Sequence, residues 1–185
     1  MPARDIAFPP PEESGPTGPA PAFLCIHTPE PCDDQPVAGL GLDPFEIGVL
    51  AILRHLCTSF AAPEAQAWRH AFAIASERWG PRQGPQLVTG LLPVLDALMQ
   101  SRRAPFRVMH PLSLAARAHA TPDEARLLRL LAAMRRDATA AARSELAALT
   151  SGHHDPALIT AALGFAARHR VPCSAPHRSG PHRIH

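Results

Sequence analysis

The sequence predicts an all-α protein, a compact bundle of about five to seven short helices with a disordered tail at each end. Two observations support this prediction. Apolar residues recur at intervals of three and four between residues 43 and 170, whereas no segment shows the strict apolar-polar alternation of a strand. Of the 22 prolines, ten precede residue 43, so helices are expected only after that point.

Residues 1–42 form the predicted Pro-rich acidic leader. Few large apolar side chains are present there to offset the entropy cost of ordering, so we expect disorder. The exception is the apolar stretch 23–26, a candidate for a short extended arm that docks on the body. The helical domain is expected over 43–170. Residues 171–185 are rich in Pro, Arg and His and form the predicted disordered basic tail.

The predicted central helix covers residues 43–60. Asp43 is suited to cap it, Pro44 fits the first helical position, and Glu46 completes a capping box. Its apolar residues cover most of the helical circumference, which is typical of a helix buried among others. Arg54 interrupts the apolar run, which is therefore too short to cross a bilayer. The apolar width also leaves room for a face that forms a helical homodimer.

Two further helices are expected before residue 102. Pro63 opens the first, which ends at Gly80 and carries Trp68 and Trp79 on its apolar face. The second covers about 86–101, and Pro93 is expected to kink or restart it, because proline removes one backbone hydrogen bond.

Four helices are expected in the remainder of the body. A short one covers 112–119, and Thr121 followed by Pro122 and two acids is the clearest helix start in the chain. An alanine-rich helix is expected over about 138–150, and Asp155 with Pro156 opens the last one.

Charge is unevenly distributed along the chain. Residues 1–42 carry six acids against one arginine, a net charge of −5, and the remainder carries seventeen arginines against ten acids, a net charge of +7. Lysine and tyrosine are absent and alanine is abundant, a bias typical of a GC-rich bacterial coding sequence. Four irregularly spaced cysteines and no signal peptide favour a reduced, cytoplasmic protein without a membrane span.

Metal binding is a weak hypothesis that rests on cysteine and histidine near the two ends. Zinc and other transition metals favour such ligands, but the spacing here is irregular and no Cys-x2-Cys pair occurs. The candidate ligands are Cys25, His27, Cys32, His169, Cys173 and His177.

No catalytic constellation stands out. His55 and Cys57, with His70 on the next helix, are candidates for a nucleophile and base, but His55 and Cys57 are two apart on one helix and point in different directions. The favoured interpretation is a small buried residue and a histidine at a helix edge. His153 and the residues after it indicate a turn and a helix cap. Phosphate loops, dinucleotide fingerprints and hydrolase motifs are absent from the sequence, so no cofactor is expected.

Nucleic-acid binding has limited support. Residues 112–119 and 122–136 superficially suggest a helix-turn-helix, but Asp123 and Glu124 at the start of the second helix would repel phosphate. Arg102, Arg103 and Arg107 form a basic connector that is suited to an acidic partner, protein or nucleic acid.

The preferred functional hypothesis is a non-enzymatic helical adaptor or regulatory protein that acts through protein-protein contacts. It rests on the lack of catalytic motifs and on the oppositely charged ends. The alternatives are a metal- or redox-responsive regulator that uses the Cys and His residues near the ends, and a DNA-associated regulator.

Overall fold

The computed structural model describes residues Leu24–His27 and 34–171. These residues form a predominantly helical structure, which confirms the predicted helical fold. The described helices are α1 (Pro44–Ala61), α2 (Trp68–Ser101), α3 (Pro122–Arg135), α4 (Thr139–Leu149) and α5 (Pro156–Arg168). Four short strands, which the sequence analysis did not predict, are β1 (Leu24–His27), β2 (Gln35–Pro36), β3 (Phe106–Met109) and β4 (His119–Ala120).

The helix starts follow the predicted capping signals. The Asp43 carboxylate accepts the backbone N–H of Glu46 at 3.0 Å, and the Glu46 carboxylate accepts the backbone N–H of Asp43 at 2.7 Å. Thr121 and Glu124 make the same reciprocal pair at the start of α3. Asp155 caps α5. These side chains pair N–H groups that the first helical turn leaves free, which fixes where each helix begins.

The core surrounds α1, as predicted. Ile52 and Leu53 on α1 are fully buried, and α1 packs on α2, α3, β1 and β3. Helix α5 packs on α2 and α3, and helix α4 packs on α3. By length and composition α1 is apolar enough to cross a membrane, but 56% of it is buried inside the protein, as expected for a core helix.

Strands β1 and β3 form a parallel pair in which Leu24 lies opposite Phe106 and His27 opposite Met109. The apolar arm predicted over 23–26 therefore docks on the body through its described residues. Residues 34–42 also belong to the folded part, since β2 pairs with β4. The fold thus begins before residue 43, the boundary inferred from sequence. The rest of the predicted leader and the tail after Val171 lie outside the described residues.

The backbone of α2 departs from helical dihedral angles at Gly80 and not at Pro93. Gly80 has φ 83° and ψ 167°, whereas the dihedral angles at Pro93 are helical. Of the two effects predicted for Pro93, a kink or a restart, the restart is therefore wrong, whereas the predicted helix end at Gly80 is correct. A Cβ atom at Gly84 would lie 2.5 Å from the backbone carbonyl carbon of Ala75. Nine residues of straight helix would separate these positions by about 13 Å, so the chain turns sharply between them.

Residues 112–119 do not form the predicted short helix. They contain a single 3₁₀ turn, Ala115–Ala118, followed by β4. The helical pair that suggested a helix-turn-helix therefore lacks its first member. Asp123 and Glu124 are buried and bonded within the protein.

Candidate functional site

A groove of about 510 Å³ lies between α1, the first half of α2 and the loop after β3, and we call it the histidine-arginine groove. Its polar walls carry histidine and arginine, and no aspartate or glutamate lines it among the described residues. The lining side chains that matter below are Ile47, Arg54, His55, His70, Arg78, Leu112 and Arg117. Cations facing a surface without carboxylates favour an anionic ligand.

Arg54 lines the groove, and acceptors inside the protein hold its guanidinium in place. Its guanidinium donates two hydrogen bonds to the buried Glu124 carboxylate, and a third and fourth to the carbonyl oxygens of Ala116 and His119. Both side chains are buried, with exposed fractions of 6% and 0%. The positive charge of Arg54 is therefore balanced inside the protein, and the groove's ligand must be held by other groups.

His55 is the buried polar group that faces the groove. Its exposed fraction is 7%, and its Nδ1 atom has no hydrogen-bond partner within the described structure. The His70 ring lies 5.4 Å away, centroid to centroid. Burial, and then the nearby His70 and His110, lower the pKa of His55. A buried nitrogen without a protein partner is uncommon in folded proteins.

Apolar side chains form the rim of the groove. Ile47 on α1 is 40% exposed and Leu112 in the facing loop is 69% exposed. Leu114, two residues further on, is 75% exposed. Ile47 and Leu112 both line the groove, and exposed apolar side chains gathered at one concave surface are typical of a protein-binding site.

The free cations of the groove come from two directions. Arg78 on α2 is exposed and donates a hydrogen bond to the Pro44 carbonyl oxygen, which directs its guanidinium toward the start of α1. Arg117 is exposed in the 3₁₀ turn. Neither pairs with a carboxylate in the described part of the chain, so both are available to an acidic partner.

The basic connector predicted to bind a partner is mostly used within the fold. Arg102 donates two hydrogen bonds to the Asp123 carboxylate, at 3.0 and 3.1 Å, and one to the Leu149 carbonyl oxygen. Its side chain is 10% exposed. Arg107 is half-buried in β3, and Arg103 is exposed. Arg102 therefore stabilises the bundle, and of these three arginines Arg103 is the exposed one.

The predicted metal ligands do not meet in the described part of the protein. Cys25 is exposed on β1, and His27 ends the same strand. His169 packs its ring against Phe45 and Phe165. Cys32, Cys173 and His177 lie outside the described residues. Among the residues that are described, no three histidine, cysteine, aspartate or glutamate side chains converge on one point, and the metal hypothesis stays a prediction.

Cys57 has the environment of a core residue. It is 1% exposed, and burial, together with the nearby Glu124, raises the pKa of its thiol far above the usual range. A thiol held in its protonated form is a poor nucleophile. The structure thus places this thiol in the core of the protein. His153 lies in the turn before α5, and Asp155 caps that helix.

Sequence reasoning missed the groove because its walls come from three separate segments. His55 and His70 were weighed as catalytic partners, not as neighbours on one surface. Leu112 and Leu114 were assigned to a helix, where leucines count as core residues. The signal that was available was local: a proline at 111 and two leucines separated by a serine are a poor helical pattern.

Comparison of the chain with protein-family models, with curated proteins and with solved structures finds no match.

Proposed function

We propose that this chain is a non-enzymatic helical adaptor or regulatory protein of the bacterial cytoplasm that acts through protein-protein contacts. The histidine-arginine groove is its partner-binding face. The observation that supports the proposal is the combination of exposed Ile47 and Leu112 with the exposed cations Arg78 and Arg117 around one concave surface. The partner that fits is an acidic segment carrying at least one large apolar side chain.

The chemistry of the groove favours this partner over a substrate. Arg54 is neutralised by Glu124, and Cys57 lies beneath the surface with its thiol protonated. The remaining polar groups that line the groove are Arg78 and Arg117, which attract acidic side chains, and the imidazoles of His55 and His70, which can donate hydrogen bonds to them. Apolar residues on the rim would cover an apolar side chain of the partner. This contact would supply most of the affinity, because burying apolar surface contributes a favourable free energy of about 25 cal/mol per Å².

The test compares two groove variants with matched controls in a tagged pull-down from the native host, followed by mass spectrometry. Leu112→Ser is matched by Leu163→Ser, since Leu163 is 51% exposed on α5 away from the groove. Arg117→Glu is matched by Arg143→Glu, since Arg143 is exposed on α4 and does not line the groove. We expect the groove variants to lose a partner that both controls retain, and high salt to weaken its capture. A partner retained by all four variants, or turnover of a substrate by the purified protein, would contradict the proposal.

A further inference from the structure

We propose a second, independent site that binds a small organic anion, a flat ring carrying a phosphate or carboxylate group. It lies where the start of α1, α2 just after Gly80 and the end of α5 meet, and it encloses about 490 Å³. We call it the arginine-aromatic pocket, after Arg168, Arg170, Phe45 and Trp79 in its lining. Its volume lies within the range of about 300–1,000 Å³ that is usual for small-molecule sites.

The pocket carries positive charge that the fold does not neutralise. Arg135 in its wall is bonded to the buried Glu46 and does not count toward this charge. Arg168 is exposed and has no carboxylate partner in the described chain. Arg170 makes one long contact of 3.8 Å with Asp137, and both of these side chains are largely exposed. Such a contact contributes little, so two guanidinium groups remain for an anion.

His169 adds a buried nitrogen without a partner. The Nε2 atom is inaccessible to solvent and has no hydrogen-bond partner in the described structure. The ring is held against Phe165 at 4.7 Å and Phe45 at 5.3 Å between centroids, and the His169 carbonyl oxygen accepts a hydrogen bond from Arg135. The ring is therefore fixed in place. His169 contributes a rigid part of the pocket lining, and its Nε2 atom is not among the ligand contacts.

The aromatic part of the pocket lining is suited to a flat ring. Phe45 and Trp79 meet edge to face with centroids 5.6 Å apart, and both line the pocket. The side chains of Gln83 and Gln86, on the first turns of α2 after Gly80, lie beside them. The Arg135 guanidinium covers one face of Phe45 at 3.9 Å from the ring centroid, and the Arg78 guanidinium lies 5.3 Å from the Trp79 ring centroid, so a flat ligand ring would pack on the faces and edges that remain. The amides offer a donor and an acceptor to ring substituents. A bare inorganic ion would use only the arginine side of the pocket.

Gly90 on α2 makes room for the principal cation. A Cβ atom at Gly90 would lie 2.9 Å from Nη1 of Arg168. The guanidinium therefore rests on the bare backbone of α2, close to the Phe165 ring. This packing directs one cation to a defined place beside the pocket, although the side chain is exposed.

The test is a fluorescence titration of the full-length protein in a Trp68→Phe background, so that Trp79 reports on its own pocket. Three probes are added separately: inorganic phosphate, benzoate and a nucleoside monophosphate. We expect saturable quenching by at least one ring-bearing probe. Arg168→Ala should weaken its binding by about tenfold or more, because a charge-assisted hydrogen bond is lost, while Arg103→Ala should change it less than about twofold.

The outcomes separate the ligand classes. Binding of benzoate indicates a carboxylate ligand, and binding of the nucleotide alone indicates a phosphate ligand with a larger ring. No saturable change with any probe, or binding of inorganic phosphate as tight as that of the ring-bearing probes, would overturn the proposal. Equal weakening by Arg168→Ala and Arg103→Ala would also overturn it. The groove variants Leu112→Ser and Arg117→Glu should leave this titration unchanged, which keeps the two sites distinguishable.

Discussion

Arg54 and Glu124 form a bidentate ion pair in the centre of the protein, with Nε–Oε1 at 2.8 Å and Nη2–Oε2 at 2.9 Å. The Glu124 carboxylate also accepts the backbone N–H groups of Met109 and Thr121. Glu124 thus completes the capping box of α3, accepts the N–H of the last β3 residue and neutralises Arg54 of α1. The pair fixes three elements relative to one another.

Replacing only one member of this pair should be strongly destabilising. Glu124→Gln leaves a buried guanidinium without its counter-charge, and we expect a loss of about 3–5 kcal/mol in the free energy of unfolding. Urea denaturation followed by circular dichroism measures this loss. The control is Asp137→Asn in the exposed Arg170–Asp137 contact, which should change stability by less than about 1 kcal/mol. Equal losses in the two variants would show that the central pair is not desolvated.

Stability should fall as the pH drops below about 6.5, the ordinary histidine pKa. Burial, and then His70 and His110, lower the pKa of His55, so the folded protein binds a proton there less readily than the unfolded chain. The stabilisation is fully present above the unfolded pKa and is lost on acidification. For one proton the slope approaches about 1.4 kcal/mol per pH unit.

Denaturation between pH 8 and pH 5 measures this effect. His55→Gln should flatten the pH dependence. A residual slope is expected from His169, whose pKa is also lowered, first by burial and then by Arg135 and Arg168. His154→Gln, in the exposed turn before α5, is the matched control. A steeper slope in His55→Gln than in the unchanged protein would refute the assignment.

Replacing Gly84 or Gly90 of α2 with alanine should change the stability of the protein in different ways. Gly84→Ala would push a Cβ atom into the backbone of Ala75, and we expect a loss of about 1–3 kcal/mol, because backbone cannot move aside cheaply. Gly90→Ala meets the flexible end of Arg168, so stability should be unchanged or raised by up to about 1 kcal/mol. Thermal unfolding of both variants tests the contrast, which would fail if Gly84→Ala were neutral.

Cys57 should resist thiol reagents until the protein unfolds. A variant with Cys25, Cys32 and Cys173 changed to serine retains only this thiol, which is 1% exposed and has a raised pKa. Labelling with a chromogenic disulfide at pH 8 should proceed at the rate of unfolding, and urea should accelerate it in parallel with loss of helicity. Rapid labelling of the native protein would contradict the buried placement.

The sequence predicted the elements whose signals are local. Asp43, Thr121 and Asp155 each marked a helix start correctly, because a cap and a following proline act within one turn. Strand β1 and its partner β3 were not predicted as a pair. Each has only four residues, and each depends on a neighbour about 80 positions away. A strand of four residues is too short to show a recognisable apolar-polar alternation in the sequence.

The candidate sites were harder to predict than the fold. Arg54 was interpreted as an interruption of an apolar helix, and Glu124 as a cap that would repel DNA. Both interpretations were locally sound. The partnership of these residues across 70 positions is a tertiary property. Arg102 was predicted to bind a partner protein or nucleic acid for the same reason. The carboxylate that it contacts inside the fold belongs to Asp123, which lies 21 positions away in the sequence.

The sharp turn at Gly80 has a consequence for how the two proposed sites can evolve or be engineered. His70 and Arg78 before the turn face the groove, while Gln83 and Gln86 after it face the pocket. An unbroken rod of 34 residues would extend about 51 Å and would keep both sets of side chains on one straight axis. A single insertion in the turn would therefore rotate the groove residues of α2 relative to its pocket residues. A change of backbone at this turn would alter both binding surfaces together.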